Sequence, residues 1–144
     1  MKDLTSGSIE WLSGIAGGYS GPESGGSDVM TSFTVGDRRV GDGAPVLIVA
    51  EIGANHNGDP DLAKKMVKEA ATTGVDAVKF QTYNVSGLLA DGDRVITWGP
   101  PGNEKSEPVG EMFERLTLPK DAYKELFDVA KSLGIAAFST PFSV

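Results

Sequence analysis

The sequence predicts an α/β fold with parallel strands, built from strand-helix units in tandem, and three observations carry the prediction. Short apolar, β-branched runs at 46–50 and 75–81 are separated by a segment with helical spacing. A glycine closes each of two helical segments, Gly74 and Gly134, and a new apolar run starts at once. The stretches AATTGVDAVKF and AKSLGIAAFST match without gaps, Ala70 over Ala130, Gly74 over Gly134 and Val75 over Ile135, so the unit repeats. Two helix-Gly-strand units in tandem make a right-handed βαβαβ segment.

Composition bounds the function. The chain has 144 residues, one domain's worth, and 13 basic against 20 acidic residues give a net charge of −7. That balance argues against general binding to nucleic acid or to anionic membranes. With no cysteine, disulfides, Cys-based metal sites and a thiol nucleophile are excluded. No apolar run approaches the roughly 20 residues that span a bilayer. Lys2 is followed by Asp3 and Glu10, and the apolar stretch 9–16 is interrupted, which is not a secretory signal. The expectation is a cytoplasmic protein.

Residues 1–32 read as a flexible, Gly-rich extension, in which Trp11, Leu12 and Ile15 would form at most one amphipathic turn. From 33 onward the chain reads as one folded domain. Phe33 to Val40 has two strand-like pieces around Gly36-Asp37, a hairpin signal, and the reading preferred for it is a cap on the end of a sheet. Val46 to Ala50 is the pattern of a strand buried on both faces, and Glu51 sits where it is expected to end. A polar loop with Gly53, Asn55, His56, Asn57 and Gly58 follows, and then Asp59-Pro60 as N-cap and first helical residue.

The helix expected over 59–73 buries Leu62, Met66, Val67, Ala70 and Ala71 on one face. In the strand expected over 75–81, Lys79 and Gln81 point to the same side by the period of two. With helices covering the sheet, that side reads as an enclosed polar site. The second helix is expected at 119–133, with Tyr123, Leu126, Phe127 and Ala130 on its buried stripe. Its strand, 135–139, is expected to end at Thr140-Pro141-Phe142-Ser143. Between Gln81 and Leu118 lies an insertion far longer than the two to six or so residues of an ordinary βα loop. It holds Trp98, the turn Gly99-Pro100-Pro101-Gly102-Asn103 and a helical piece near 111–116. In parallel α/β folds reacting groups gather at C-terminal strand ends and on the loops beyond, so Glu51 is the first catalytic candidate. His56 reads either as a metal ligand or as a ring that holds its loop by hydrogen bonds, the second being the commoner use of one histidine in such a loop.

Four stretches in this order, AEIGANHNG, GVDAVKFQTY, EMFERLTL and GIAAFSTPFS, resemble the N-terminal part of the sialic acid synthase family. The resemblance implies a partial (βα)8 TIM barrel, the first βαβαβ units, preceded by the hairpin, with the rest of the barrel and a C-terminal antifreeze-like domain absent. It implies a C–C bond-forming transferase. Its substrates would be phosphoenolpyruvate and an N-acyl amino sugar, N-acetylmannosamine or a related one, and its product a nine-carbon sialic-type acid plus phosphate. Glu51 and Lys79 would be catalytic. Lys79, Thr140 and Phe142 would surround phosphoenolpyruvate, and Glu51, Gln81 and Asn103 the amino sugar. A divalent metal, Mn or Mg, would serve the complete enzyme from ligands not in this chain, and the complete enzyme would be a homo-oligomer, a dimer. The EIGANHNG stretch leans to the neuraminate or legionaminate type of acceptor rather than the pseudaminate type. Two positions depart from the family's pattern: Gly110, where Tyr is usual, and Pro119, where a Ser N-cap is common.

Each residue has a plainer reading: Lys79 as a strand-end lysine reaching for solvent, Glu51 as a loop carboxylate, Asn103 as a residue that shapes its turn. Two rival functions follow from other features. An open set of three strands would leave pairing edges, which suits a noncatalytic fragment or interaction module. Another phosphoenolpyruvate-aldol barrel acting on a phosphosugar would need extra Arg or Lys for the second phosphate, and the loop offers only Arg94 and Lys105.

Overall fold

The computed structural model describes residues 32–142. These divide after Leu47 into two units, each taken here by itself. The expected extension and its Trp11 turn lie outside the described residues, Ser32 apart. In the first unit β1 (Ser32–Val35) and β2 (Arg38–Gly41) pair antiparallel, Phe33 opposite Val40 and Val35 opposite Arg38, around the Gly36-Asp37 turn. That is the hairpin the sequence predicts.

The second unit runs β3 (Val49–Gly53), α1 (Pro60–Thr72), β4 (Ala77–Thr82), α2 (Val85–Leu88), β5 (Val95–Trp98), β6 (Lys105–Pro108), α3 (Val109–Leu116), α4 (Ala122–Ser132) and β7 (Ala136–Pro141). β3, β4 and β7 form one parallel sheet in the order β3-β4-β7. Side chains alternate across it, and the face bearing Ala50, Ile52, Val78, Phe80 and Ala137 packs on the helices. There Phe80, Leu118, Leu126, Val67 and Val78 are fully buried, with Ile52, Ala130 and Ile135 completing the core. Burial on this scale stabilises by about 1.5–3 kcal/mol for each large side chain removed from water. The Lys64 ammonium of α1 also meets the Glu125 carboxylate of α4 at 2.5 Å.

α1 begins as its sequence indicates. The Asp59 carboxylate accepts the N–H groups of Asp61 and Leu62 at 2.8 and 3.2 Å, and Pro60 opens the first turn. All three strands differ in their bounds from expectation, β4 running from Ala77 to Thr82 rather than over 75–81. β3 occupies 49–53 rather than 46–50, because Ile48 belongs to the entry of the ladder. Its N–H donates to the Asp76 carboxylate at 2.8 Å and its carbonyl accepts from Asp76 and Ala77, so paired residues begin with Val49 opposite Ala77. Glu51 is therefore the third residue of its strand and not the residue beyond it. Likewise β7 extends to Pro141 and takes in Thr140. α4 starts at Ala122 rather than 119, after a turn closed by the Ala122 N–H on the Pro119 carbonyl at 3.0 Å.

The insertion contains an antiparallel hairpin, β5 on β6 with Ile96 opposite Glu107 and Trp98 opposite Lys105, that the sequence reading did not anticipate. The Lys105-Ser106-Glu107-Pro108 strand has no apolar residue before Pro108, so no two-residue hydrophobic period marks it. Polar cross-strand contacts hold it instead. Thr97 and Ser106 hydroxyls meet at 2.8 Å, and Glu107 accepts from the Trp98 indole N–H at 2.8 Å and from Arg115 at 2.7 Å. The Gly110 position has a local reason too. Its N–H donates to the Gly92 carbonyl at 2.8 Å, and a Cβ there would stand 3.0 Å from that oxygen, so two backbones meet where a tyrosine would not fit without moving one.

Candidate active site

The second face of the parallel sheet carries the polar candidates. Glu51 pairs with Lys79 in the ladder, Lys79 with Phe138, and Gln81 with Thr140, and alternation puts all five on the side that α1 and α4 do not cover. The sequence reading of Lys79 and Gln81 as one-sided holds, and the helices account for the other side only. Lys79 Nζ lies 2.7 Å from Glu51 Oε2, with the two side chains 33% and 47% exposed.

Gly53 draws Gln81 into the same group. The β3 register shifts between Glu51 and Gly53, and Gly53 takes φ 55°, in the left-handed region that favours glycine. A Cβ there would stand 3.4 Å from Glu51 Oε1 and 3.6 Å from Gln81 Nε2, ordinary contact distances, so both side chains lie over Gly53 and it is the left-handed φ that favours glycine. The β4 backbone is fixed at this point by the Tyr123 hydroxyl, which donates to the Gln81 carbonyl at 2.9 Å. Thr82 and Ser139 hydroxyls, on the core side, join β4 to β7 at 2.5 Å.

The other candidates are placed less closely. Thr140 is the ladder partner of Gln81. Phe142 follows β7, its N–H donating to the Thr82 carbonyl at 2.9 Å, with its ring half-exposed. Asn103 lies in the turn between β5 and β6, where its N–H donates to the Pro100 carbonyl at 3.0 Å, in a sheet separate from β3-β4-β7. The structure thus brings together Glu51, Lys79 and Gln81, sets Thr140 beside them in register, and leaves Asn103 on a different element. Gly53 and Phe138 were not singled out from sequence. A glycine directly after the carboxylate strand was the available signal for the first, and the alternation of AAFST for the second.

His56 sits on the core side. It is 1% exposed and its ring centroid is 6.2 Å from that of Phe80. Nδ1 accepts the Gly58 N–H at 3.1 Å. Burial pushes its pKa below the usual histidine value, against smaller opposing effects of the Gly53 backbone and the Asp59 charge. Among the described residues no group of three or more His, Cys, Asp or Glu could hold a metal ion.

As a chemical arrangement, an ammonium, a carboxylate, an amide and a hydroxyl converge on the C-terminal half of a parallel sheet. That set can bind an anionic oxygen and move a proton beside it.

A family model described as the NeuB family matches residues 66–144. The N,N'-diacetyllegionaminic acid synthase of Campylobacter jejuni is 39% identical over 98 residues, which is 68% of this chain and 29% of that protein. The pseudaminic acid synthase of Helicobacter pylori is 37% identical over 101 residues, 69% of this chain and 29% of that protein. Among solved structures, the N-acetylneuraminic acid (sialic acid) synthetase of Leptospira borgpetersenii superposes with a TM-score of 0.66 at 29% identity, covering 80% of this chain and 35% of that one. The chain spans less than half the length of each of these three proteins.

Proposed function

The chain belongs to the NeuB family, and on that premise we propose that it supplies the first strands of a barrel synthase that condenses phosphoenolpyruvate with an N-acyl amino sugar. The methylene carbon of phosphoenolpyruvate attacks the aldehyde carbon of the open-chain sugar. Water adds to the former enol-ether carbon, phosphate leaves, and a nine-carbon α-keto acid remains. The observation that carries this reading is the Lys79–Glu51 pair at 2.7 Å, on the uncovered face, with Gln81 and Thr140 beside it.

Lys79 is assigned to the phosphate or carboxylate of phosphoenolpyruvate. One ammonium about 4 Å from an anionic oxygen contributes about 4 kcal/mol at an effective dielectric near 20. Thr140 donates to the same anion and Phe142 packs beside it. Glu51 handles the proton and the sugar hydroxyls, with Gln81 and Asn103 as further amide contacts to the sugar. The described residues do not fit a divalent metal. The ligands of the Mn or Mg of a complete synthase are assigned to chain outside them.

The acceptor is an N-acyl amino sugar of the neuraminate or legionaminate type. Because the chain spans 29% of the two curated relatives, the remainder of the pocket and the dimer are also assigned to the complete protein, and residues 1–144 alone are expected to be inactive. No described helix is long and apolar enough to cross a membrane, and a cytoplasmic enzyme is the reading.

The test is mass-resolved product analysis of the full-length gene product with phosphoenolpyruvate, a divalent metal and a panel of N-acyl amino sugars. A nine-carbon keto acid with one phosphate released per molecule is expected. Consumption of phosphoenolpyruvate only with phosphosugars that lack an acylamino group would transfer the protein to another aldol chemistry, and no consumption by folded protein would overturn the reading.

A further inference from the structure

The loop between β3 and α1 holds a buried titratable ring that the condensation leaves without a role. His56 Nδ1 accepts the Gly58 N–H at 3.1 Å, so the neutral ring carries its proton on Nε2. Nε2 is buried without a hydrogen-bond partner among the described residues, and the ring packs beside Phe80, which stands opposite Gly53 in the ladder. The ring therefore links Gly58 to the strand residue that pairs with Gly53. Gly58 takes φ 76°, and a Cβ there would overlap the Arg115 carbonyl oxygen at the end of α3. Gly53 is the shift in β3 that follows Glu51. The Asp59 carboxylate, whose charge favours the protonated ring, is itself occupied with the N–H groups of Asp61 and Leu62.

We propose that His56 is a positioning residue: as the neutral Nε2–H form it braces the loop between Gly53 and Gly58, and so fixes the backbone shift that aims the Glu51 carboxylate at Lys79. The ring stands on the Phe80 side of the sheet, so it acts on the site through Gly53 and not by touching substrate. The inference rests on the roles given above to Glu51 and Lys79. Displacement of a reacting group by about 1 Å is enough to cost on the order of a hundredfold in rate, so a brace at this point has leverage.

The experiment has two arms. In the first, imidazole nitrogen resonances of the full-length gene product are recorded, and the His56 signal is assigned by its loss in His56→Asn. A neutral ring protonated on Nε2, persisting as the pH falls below the ordinary histidine value of about 6.5, is expected. A proton on Nδ1 at neutral pH overturns the proposal. In the second arm, His56→Leu keeps apolar volume and removes the acceptor, whereas the side-chain oxygen of His56→Asn reaches the same Gly58 amide. The Leu variant should lose about ten- to a hundredfold in kcat with the phosphoenolpyruvate KM within about threefold, and the Asn variant should recover most of kcat.

Wild-type kcat in His56→Leu, or no recovery in a folded Asn variant, overturns the brace. If the Leu variant does not fold, His56→Gln replaces it, since its amide falls at the Nε2 position, and equal kcat in the Asn and Gln variants counts against the proposal. If the wild-type protein condenses nothing, the proposed function falls, while the resonance arm still decides the state of the ring.

Discussion

Lys79 and Glu51 stand directly opposite one another in the β3–β4 ladder, and their charged groups meet at 2.7 Å on the face the helices leave uncovered. With the side chains 33% and 47% exposed, solvent screens the pair, and exposed pairs of this kind contribute at most about 1 kcal/mol. Folding does not depend on it. The pair is better understood as a cation held in place by an exchangeable partner, which a dianion of higher charge can displace.

Lys79→Ala should therefore lower kcat/KM for phosphoenolpyruvate by about a hundredfold or more while leaving the amino-sugar KM within about threefold. Steady-state kinetics with each substrate varied in turn provides the check. Unchanged use of phosphoenolpyruvate would return Lys79 to a lysine that merely reaches solvent.

Glu51→Gln keeps the shape of the side chain and removes its charge. Turnover should fall by about a hundredfold or more, the usual loss when a proton-transfer group is removed, with Tm almost unaltered. Kinetics and a thermal melt on the same preparation separate the two effects, and turnover at the wild-type level would place Glu51 outside the chemistry.

Gly58→Ala should be among the most damaging single-methyl additions in the chain. The left-handed backbone at φ 76° adds about 1–2 kcal/mol for any L side chain, and relief of the overlap with the Arg115 carbonyl adds about 1–3 kcal/mol more. Gly74→Ala is the control, because φ is 81° there with nothing within 4 Å of the new Cβ, so only the backbone penalty applies. Urea denaturation should rank Gly58→Ala below Gly74→Ala in stability, and the reverse order would show that the Arg115 contact yields without cost.

Acid should act on the fold through His56. Burial holds the folded-state pKa of the ring below its unfolded value, so between the two the unfolded chain binds the proton more readily. The contribution is fully present above the unfolded value of about 6.5 and declines as the pH falls from there towards the folded value. Urea midpoints compared at neutral and mildly acidic pH should drop more in the wild type than in His56→Asn. Identical drops would show that the ring accepts its proton in the folded state without penalty.

The helix-Gly-strand repeat, the Asp59 cap, the hairpin at 33–40 and the one-sided placement of Lys79 and Gln81 were legible because each depends on local chemistry or on alternation within one element. What escaped depends on partners distant in sequence. Nothing in the run 46–50 shows that Ile48 is taken by Asp76, yet that contact moves β3 by three residues and brings Glu51 inside it. The β5–β6 hairpin escaped because β6 is polar before Pro108, and its evidence lies across the turn, in Thr97 with Ser106 and Trp98 with Glu107. The conformation of Gly53 was hidden in the same way, since its left-handed φ accompanies a register shift that appears only when β3 is paired with β4.

The position of the insertion between β4 and β7 bears on the order of assembly. β3 meets β4 across one short helix, whereas Lys79 reaches its neighbour Phe138 only after roughly twice that stretch of chain. Each doubling of a flexible loop adds only about 0.6 kcal/mol of closure entropy, so the equilibrium scarcely registers the difference. Rates are more sensitive than equilibria to such separations. The β3-α1-β4 unit, closed by Ile48 and Asp76, is placed to nucleate, and β7 to dock afterwards along the edge of β4. Lengthening the turn at Gly99–Asn103 should then slow refolding while leaving the rate of unfolding nearly constant.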